Sequence, residues 1–303
     1  MSKRTHEGEV ALITGGASGI GAALGRALAK RGAEVILADR QGAVADRVAA
    51  EIRSDGGRAV GVELDVRSLP AFERVAGDIA AREGRIDYLF NNAGIAVGGE
   101  MDTYEPRDWD DVIDVNLRGV AHGIQAVYPI MIRQGSGHIV NTASVAGLVT
   151  GAGEGSYAAT KHAVVGLSKA LRIEAERHGV RVSVLCPGAI RTPILTGGRF
   201  GRLNYTGVSD EHILAMWAKT RPMDVDVMAK KTLAAVARDE AIIVIPRWWK
   251  ALWYLERVSP ELSMAVWRRF LGRMRVSIAD AGGVAATPDE RRAAEKAAAA
   301  RAN

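Results

Sequence analysis

Seven short apolar runs, each separated from the next by a stretch of helical period, constrain this chain more than any other feature. They are Val10 to Thr14, Glu34 to Ala38, Ala59 to Leu64, Tyr88 to Asn91, His138 to Asn141, Arg181 to Cys186 and Ala241 to Ile245. Antiparallel strands can turn in two residues, whereas parallel ones need long crossovers, so this alternation predicts a parallel sheet. Solid Val, Ile and Leu suits strands buried on both faces. The expected fold class is α/β: a doubly wound seven-stranded parallel sheet with helices on both faces, plus a C-terminal helical extension. No internal repeat or Pro/Ser-rich linker breaks the pattern, so residues 1–246 are expected to form one domain. Residues 247–279 then read as a basic, Trp-rich amphipathic extension, and 280–303 as an Ala-rich exposed tail. Within the tail, Thr287-Pro288-Asp289-Glu290 has the form of a capping box.

Composition narrows the function classes. At 48% hydrophobic and 25% charged the chain is an ordinary globule, not a collagen-like, disordered or disulfide-stapled one. Its single cysteine, Cys186, cannot close an intrachain disulfide. No run reaches the ~18 to 20 apolar residues of a spanning helix, and Met1 to Glu9 lacks a signal-peptide core, so a cytoplasmic location is expected. The net charge of +5 lies wholly between Arg247 and Arg275, where seven Lys/Arg face two Glu. The rest of the chain is balanced, so no nucleic-acid face is expected. Six histidines show no ligand spacing, and no metal site is expected.

The first strand runs into Thr14-Gly15-Gly16-Ala17-Ser18-Gly19-Ile20-Gly21, which opens a helix. Small residues let the backbone approach a pyrophosphate, and the helix N-terminus supplies unpaired N–H groups and a positive dipole end. A glycine cluster alone is more often a simple turn. Here Asp39 closes the second strand, where a carboxylate accepts hydrogen bonds from an adenosine ribose and repels a 2′-phosphate. Arg40 could pair with such a phosphate, but Ser18 is neutral, so only one cation is offered and NAD is expected ahead of NADP. Further on, Tyr157 and Lys161 stand at i and i+4 on one helix face. A fixed cation favours phenolate and lowers a tyrosine pKa toward the range of proton exchange with an alcohol or carbonyl. Alone, the pair would be an ordinary solvated contact. Upstream, Ser144 follows a buried strand, where it could hydrogen-bond a substrate oxygen. Asn91-Asn92-Ala93-Gly94 ends another strand, and Asn116 lies mid-helix, where an amide costs stability unless hydrogen-bonded.

In order and spacing, the chain from about Glu7 to Pro246 resembles the classical short-chain dehydrogenase/reductase (SDR) family. The resemblance rests on Thr14 to Gly21, Asp39, Asp65-Val66, Asn91 to Gly94, Asn116, Ser144, Tyr157, Lys161 and Pro187-Gly188 through Thr192. It implies a single Rossmann-type domain, and an NAD(P)-dependent oxidoreductase moving hydride between cofactor and a secondary alcohol or ketone. It also implies a homodimer or homotetramer. Gly15, Ser18, Gly19, Ile20 and Gly21 would cradle the cofactor phosphates, with Asp39 and Arg40 at its ribose and Asp65 and Val66 at its adenine. Asn92, Ala93 and Gly94 would wall the cleft. By the same resemblance Tyr157 would be the general acid/base, Lys161 would hold the nicotinamide ribose, and Ser144 would polarise the substrate oxygen. Asn116 would relay a proton through water to Lys161. Pro187, Gly188 and Ile190 would line the nicotinamide, and Thr192 its carboxamide or the pyrophosphate. Two rivals are a cofactor-sensing or scaffold protein without catalysis and an epimerase or dehydratase on the same scaffold. The presence of Tyr157, Lys161 and Ser144 speaks against the first, and the lack of an extra acid/base against the second.

Residues 192–222, glycine-rich before Met216-Trp217, read as a mobile lid over an apolar small-molecule substrate. Glu154, three residues before Tyr157, could approach the substrate but reads rather as a solvated loop carboxylate, and Cys186 reads as an inert buried thiol rather than a nucleophile. In the extension Trp248, Ala251, Leu252, Leu255 and Val258 recur at helical spacing opposite Lys250, Tyr254 and Arg257. After a Ser259-Pro260-Glu261 cap, Met264, Trp267, Leu271 and Met274 form a second stripe with Phe270, leaving Arg268, Arg269, Arg273 and Arg275 off it. These stripes are expected to pack on the domain or a second subunit beside the substrate cleft. Peripheral contact of 247–275 with an anionic membrane is the alternative.

Overall fold

The computed structural model describes residues 6–196, 201–285, 287, 289 and 290. Its strands are β1 (Val10–Thr14), β2 (Glu34–Asp39), β3 (Arg58–Glu63), β4 (Tyr88–Asn91), β5 (Ala96–Gly98), β6 (Gly137–Thr142), β7 (Val180–Pro187), β8 (Gly201–Leu203), β9 (Tyr205–Thr206), β10 (Ile242–Ile245) and β11 (Val284–Ala285). Its α-helices are α1 (Gly19–Ala29), α2 (Gly42–Ser54), α3 (Leu69–Glu83), α4 (Pro106–Ile113), α5 (Gly119–Gln134), α6 (Gly155–Ala175), α7 (Asp210–Ala218), α8 (Val225–Ala237), α9 (Trp249–Val258) and α10 (Pro260–Asp280). One seven-stranded, all-parallel sheet runs in the order β10-β7-β6-β4-β1-β2-β3. The seven apolar runs are these strands, so the doubly wound Rossmann-type fold and the added C-terminal helices stand as the sequence implied.

Alternate residues of each strand face opposite layers. Ile13, Leu37, Phe90 and Leu185 meet α1, α2 and α8, while Leu12, Ile36, Leu89, Ile139 and Val182 meet α3, α5 and α6. Each such side chain hidden from water contributes about 1.5–3 kcal/mol. The edge strand β3 differs from expectation: Ala59 is its one buried residue. It has a strand neighbour on one side only, and α2 presses so close that a Cβ on Gly61 would sit 2.4 Å from Asp46 N. The strand order reverses between β1 and β4, which opens a crevice at the carboxyl ends of the strands.

The extension packs on its own domain. Trp249 is buried in a cluster with Val145, Val184, Cys186 and Val244, and Leu252, Trp253 and Trp267 pack against it. Glu256 Oε2 accepts hydrogen bonds from Thr150 N and Oγ1 (3.3 Å each) and from Ser263 Oγ. Arg275 forks onto Glu100, with Nε 2.8 Å from Oε1. The first stripe is rotated from the expected phase, whereas in the second Trp267, Leu271 and Met274 face the domain as expected and Met264 turns outward. Trp248 is 48% and Val258 85% exposed, and Ala251 is exposed, whereas Trp249 turns inward. On α10, Met264 is 45% exposed, and Ser263 and Ile278 are buried instead. Ser259 does cap α10, accepting from Leu262 N (3.4 Å). Thr287 and Glu290 exchange the bonds of a capping box. Residues 286, 288 and 291–303 of the tail, with Gly197 and Gly198 of the expected lid, lie outside the described residues. No helix among those residues is long and apolar enough to cross a membrane.

Candidate active site

The loops after β1, β2, β3, β4, β6 and β7 meet around a cavity of about 700 Å³. Gly15, Ser18, Gly19, Ile20, Asp39, Arg40, Asp65, Val66, Asn92, Ala93, Gly94, Ser144, Tyr157, Lys161, Pro187, Gly188, Ile190 and Thr192 all line it. Of the expected site residues, Gly21 and Asn116 stand just behind the wall. A Cβ on Gly21 would lie 2.2 Å from Gly15 O, so its missing side chain lets α1 close onto the loop. Gly15 itself is left-handed (φ +66°), a conformation that glycine adopts without strain. Ser18 precedes α1 without capping it through its side chain. Thr14 Oγ1 accepts the N–H groups of Asn92 and Ala93 at 3.0 Å each, tying the β1 and β4 loops together. That clamp has no motif of its own and was not foreseen.

At one end Asp39 is buried and accepts from Ala17 N (3.2 Å) and Gln41 N (3.0 Å), so one carboxylate shapes the glycine loop and faces the cavity. Asp65 is forked by Arg67, whose Nη2 lies 2.6 Å from Oδ2, and this hydrogen bonding holds its carboxyl below the usual range. The Arg40 charge acts on Asp65 in the same direction. The fit to a dinucleotide rests on this chain's own surface: a strand–glycine loop–helix cradle, a carboxylate at the end of β2 and close-packed glycines.

At the other end α6 carries Tyr157 and Lys161 one turn apart. The Lys161 Nζ lies 5.4 Å from the Tyr157 ring centroid and donates to Thr142 O at 2.9 Å. Burial pulls its pKa down to about 8. Burial also pushes the Tyr157 phenol above its ordinary value, and the Ser144 hydroxyl, hydrogen-bonded to it, offsets part of the rise. The expected lowering of Tyr157 is therefore not met: loss of water outweighs the Ser144 bond, and the Glu154 charge adds to the rise. Ser144 Oγ also accepts from Ala146 N (3.1 Å). Asn116 lies in a π-helical turn, Asp114–Arg118, between α4 and α5. Its Oδ1 accepts from Ile95 N and its Nδ2 donates to Ile95 O, both at 2.9 Å. A Cβ on Gly94 would lie 3.3 Å from that Oδ1 and 3.5 Å from Lys161 Nζ, so the amide pins the cavity wall beside the lysine.

The rest of the cavity is apolar. Leu195, Leu203, Ile213, Met216 and Trp217 from the 192–222 segment face Trp249, Trp267, Phe270 and Met274 from the extension. Arg202 anchors that segment on α4 through Asp108 and Asp111, at 2.8 Å each, and His212 of α7 meets Ser277 of α10 at 3.1 Å. Of the two readings of Glu154, the structure favours approach to the substrate over a solvated loop position: the residue is half-buried on the cavity lining, and burial pushes its pKa up to about 7. Cys186 is a buried thiol raised to about 12 by the same cause.

A parallel sheet with a glycine loop at the first switch and a Ser, Tyr and Lys cluster at its carboxyl edge defines a class of nicotinamide-type folds. Residues 9–199 match the family described as short chain dehydrogenase. The chain belongs to the short-chain dehydrogenase/reductase family, whose members include oxidoreductases similar to it. Oxidoreductase UcpA of Salmonella typhimurium is 40% identical over 195 residues, 64% of this chain and 73% of that protein. The 2,5-dichloro-2,5-cyclohexadiene-1,4-diol dehydrogenase LinX of Sphingobium indicum is 39% identical over 187 residues, 62% and 75% of the two chains. Among solved structures, a short chain dehydrogenase/reductase from Burkholderia phymatum in complex with NAD superposes with a TM-score of 0.75. It is 33% identical, and the match covers 85% of this chain and 95% of the other.

Proposed function

We propose that the protein is an oxidoreductase moving hydride between NAD(H) and a secondary alcohol or ketone of apolar character. The observation that carries this is the Tyr157 phenol hydrogen-bonded to Ser144, with the Lys161 ammonium over its ring, in the cavity that Asp39 and the glycine loop share. A nicotinamide bound there supplies a hydride acceptor or donor. Gly15, Gly19 and Ile20 would hold its phosphates, Asp39 its adenosine ribose, and Pro187, Gly188 and Ile190 its ring. Tyr157 exchanges the hydroxyl proton of the substrate, Ser144 hydrogen-bonds the same oxygen, and Lys161 with Ser144 favours the phenolate. Asn116 fixes the wall on which Lys161 lies. Segment 192–222 closes over the apolar half. NAD is preferred because Asp39 would repel a 2′-phosphate, and the family resemblance further supports a cytoplasmic homo-oligomer.

A panel of secondary alcohols, scored by the absorbance of reduced nicotinamide, tests the reading. Tyr157→Phe keeps the ring and removes the transferable proton, so turnover falls by about 10²–10⁴ while cofactor still binds. Near-normal turnover in that variant rejects the assignment.

A further inference from the structure

Glu154 stands at the N-cap of α6, where a carboxylate ordinarily finds the free N–H groups of the first turn and the positive end of the helix dipole. Its side chain makes no cap. It lines the catalytic cavity instead, and its carboxyl has no hydrogen-bond or ion-pair partner among the described residues. The backbone leaves little slack. Glu154 bridges to Gly99, and its N–H donates to Gly151 O at 3.1 Å. On the preceding loop residue, a Cβ on Gly153 would sit 3.2 Å from Met274 Cε and 3.7 Å from Leu271 Cδ1, so α10 closes over this loop.

Glu154 is half-buried on this cavity, and a substrate that displaces water from its carboxyl leaves that loss uncompensated unless the substrate itself supplies a donor. Burial alone already raises its proton affinity, to a pKa of about 7. Glu154 is the N-cap of α6, three residues before Tyr157, and both line the same cavity, so a molecule reacting at Tyr157 can bring a second group to Glu154. The Glu154 charge acts on the Tyr157 phenol, which agrees with that proximity. Arg273, exposed on α10, also reaches the rim of this cavity, so a neutral donor such as a hydroxyl suits the site better than a cation.

We propose that Glu154 binds a second hydroxyl of the substrate, which is therefore a diol or hydroxyketone on an apolar skeleton. The inference rests on the oxidoreductase reading. One carbinol carbon gives its hydride to the oxidised nicotinamide and its hydroxyl proton to the Tyr157 phenolate, so that the carbinol becomes the carbonyl and the phenolate the phenol, which then passes the proton to water. The second hydroxyl keeps its proton and donates a hydrogen bond to Glu154.

The test separates binding from turnover in the full chain with NAD present. Fluorescence of the wall residues Trp217, Trp249 and Trp267 reports binding of 1-tetralol, the tetralindiols and their monomethyl ethers, and reduced-nicotinamide absorbance reports turnover. At least one diol is expected to bind about tenfold or more tightly than its monomethyl ether, which keeps the shape but lacks the donor, with kcat/KM following. Glu154→Ala brings that ratio down to about one, and Glu154→Gln, which retains an acceptor oxygen, keeps part of it. The proposal is overturned if no diol is preferred to its ether. It is equally overturned if the preference survives in a Glu154→Ala protein that melts and binds NAD like the parent. Diol binding that depends on Glu154 without any turnover keeps this inference and rejects the oxidoreductase reading.

Discussion

Replacing Lys161 by Met keeps the length of the side chain and removes a charge that the fold buries to 3% exposure. Among the described residues no carboxylate pairs with that charge: the Nζ donates to Thr142 O at 2.9 Å, and burial dominates its proton affinity. The pKa falls from an ordinary 10.5 to about 8. Below pH ~8 both the native and the unfolded chain hold the proton, and the native state carries the full desolvation penalty. Between ~8 and ~10.5 the native state releases the proton first, so stability rises with pH. At about 1.4 kcal/mol per pH unit, the penalty near neutrality is ~3 kcal/mol. Lys161→Met removes it and gives up the hydrogen bond to Thr142, a loss of ~1 kcal/mol. The variant is therefore expected to be more stable than the parent by ~2 kcal/mol near pH 7, a Tm higher by roughly 4 °C, while turnover is lost. Denaturant and thermal melts of both proteins at neutral pH and near pH ~10 measure the gap, which narrows as pH rises because the parent sheds its penalty. A variant less stable than the parent at pH 7, or a gap independent of pH, would falsify the account of Lys161 as a buried, uncompensated charge.

Asp39→Ala removes the repulsion of a 2′-phosphate and frees Ala17 N and Gln41 N, so the NAD:NADP ratio of kcat/KM shrinks or inverts and Tm drops. A parent enzyme that prefers NADP refutes the reading of this strand end. Gly188→Ala places a Cβ 2.0 Å from Trp249 Nε1, so the variant loses about 1–3 kcal/mol in denaturant melts and binds NAD more weakly. In a Trp249→Ala background the same change costs less, and strict additivity contradicts the contact. Leu262, Val266, Arg269, Arg273 and Val276 share one exposed, partly basic stripe of α10, so the full chain is expected to sediment with anionic but not neutral vesicles at low salt. No sedimentation removes the membrane idea.

The fold was legible because its strands are buried on both faces, where apolar character is continuous and boundaries fall at the first polar or glycine residue. Thr14 followed by Gly15 marks such an end, as does Asn91 followed by Asn92. The edge strand β3 shows the limit. Its Val60 and Val62 read as core, but burial at an edge depends on what covers the outer face, which no local pattern records. The site was legible in its residue types for a similar reason: glycines and a strand-end carboxylate answer to close backbone approach. The proton affinities were not, because they depend on burial. Spacing correctly put Lys161 beside Tyr157, yet loss of water raises the phenol all the same.

The extension shows why helical spacing falls short of packing. Trp248 and Trp249 are adjacent, so their side chains leave the helix about 100° apart, and either could anchor an apolar stripe. Their rings stack with centroids 4.2 Å apart, and only Trp249 goes in. The choice is made by Gly188, whose missing Cβ is the space that the Trp249 indole occupies. A residue at the end of β7 thus sets the phase of α9, and through Ser259 the placement of α10, whose Met274 and Leu271 close over the Glu154 loop. Nothing within 247–279 carries that information. Gly188 also lines the cavity, so on the proposed reading, in which it meets the nicotinamide, one position would bear on both cofactor binding and the seating of the Trp249 wall.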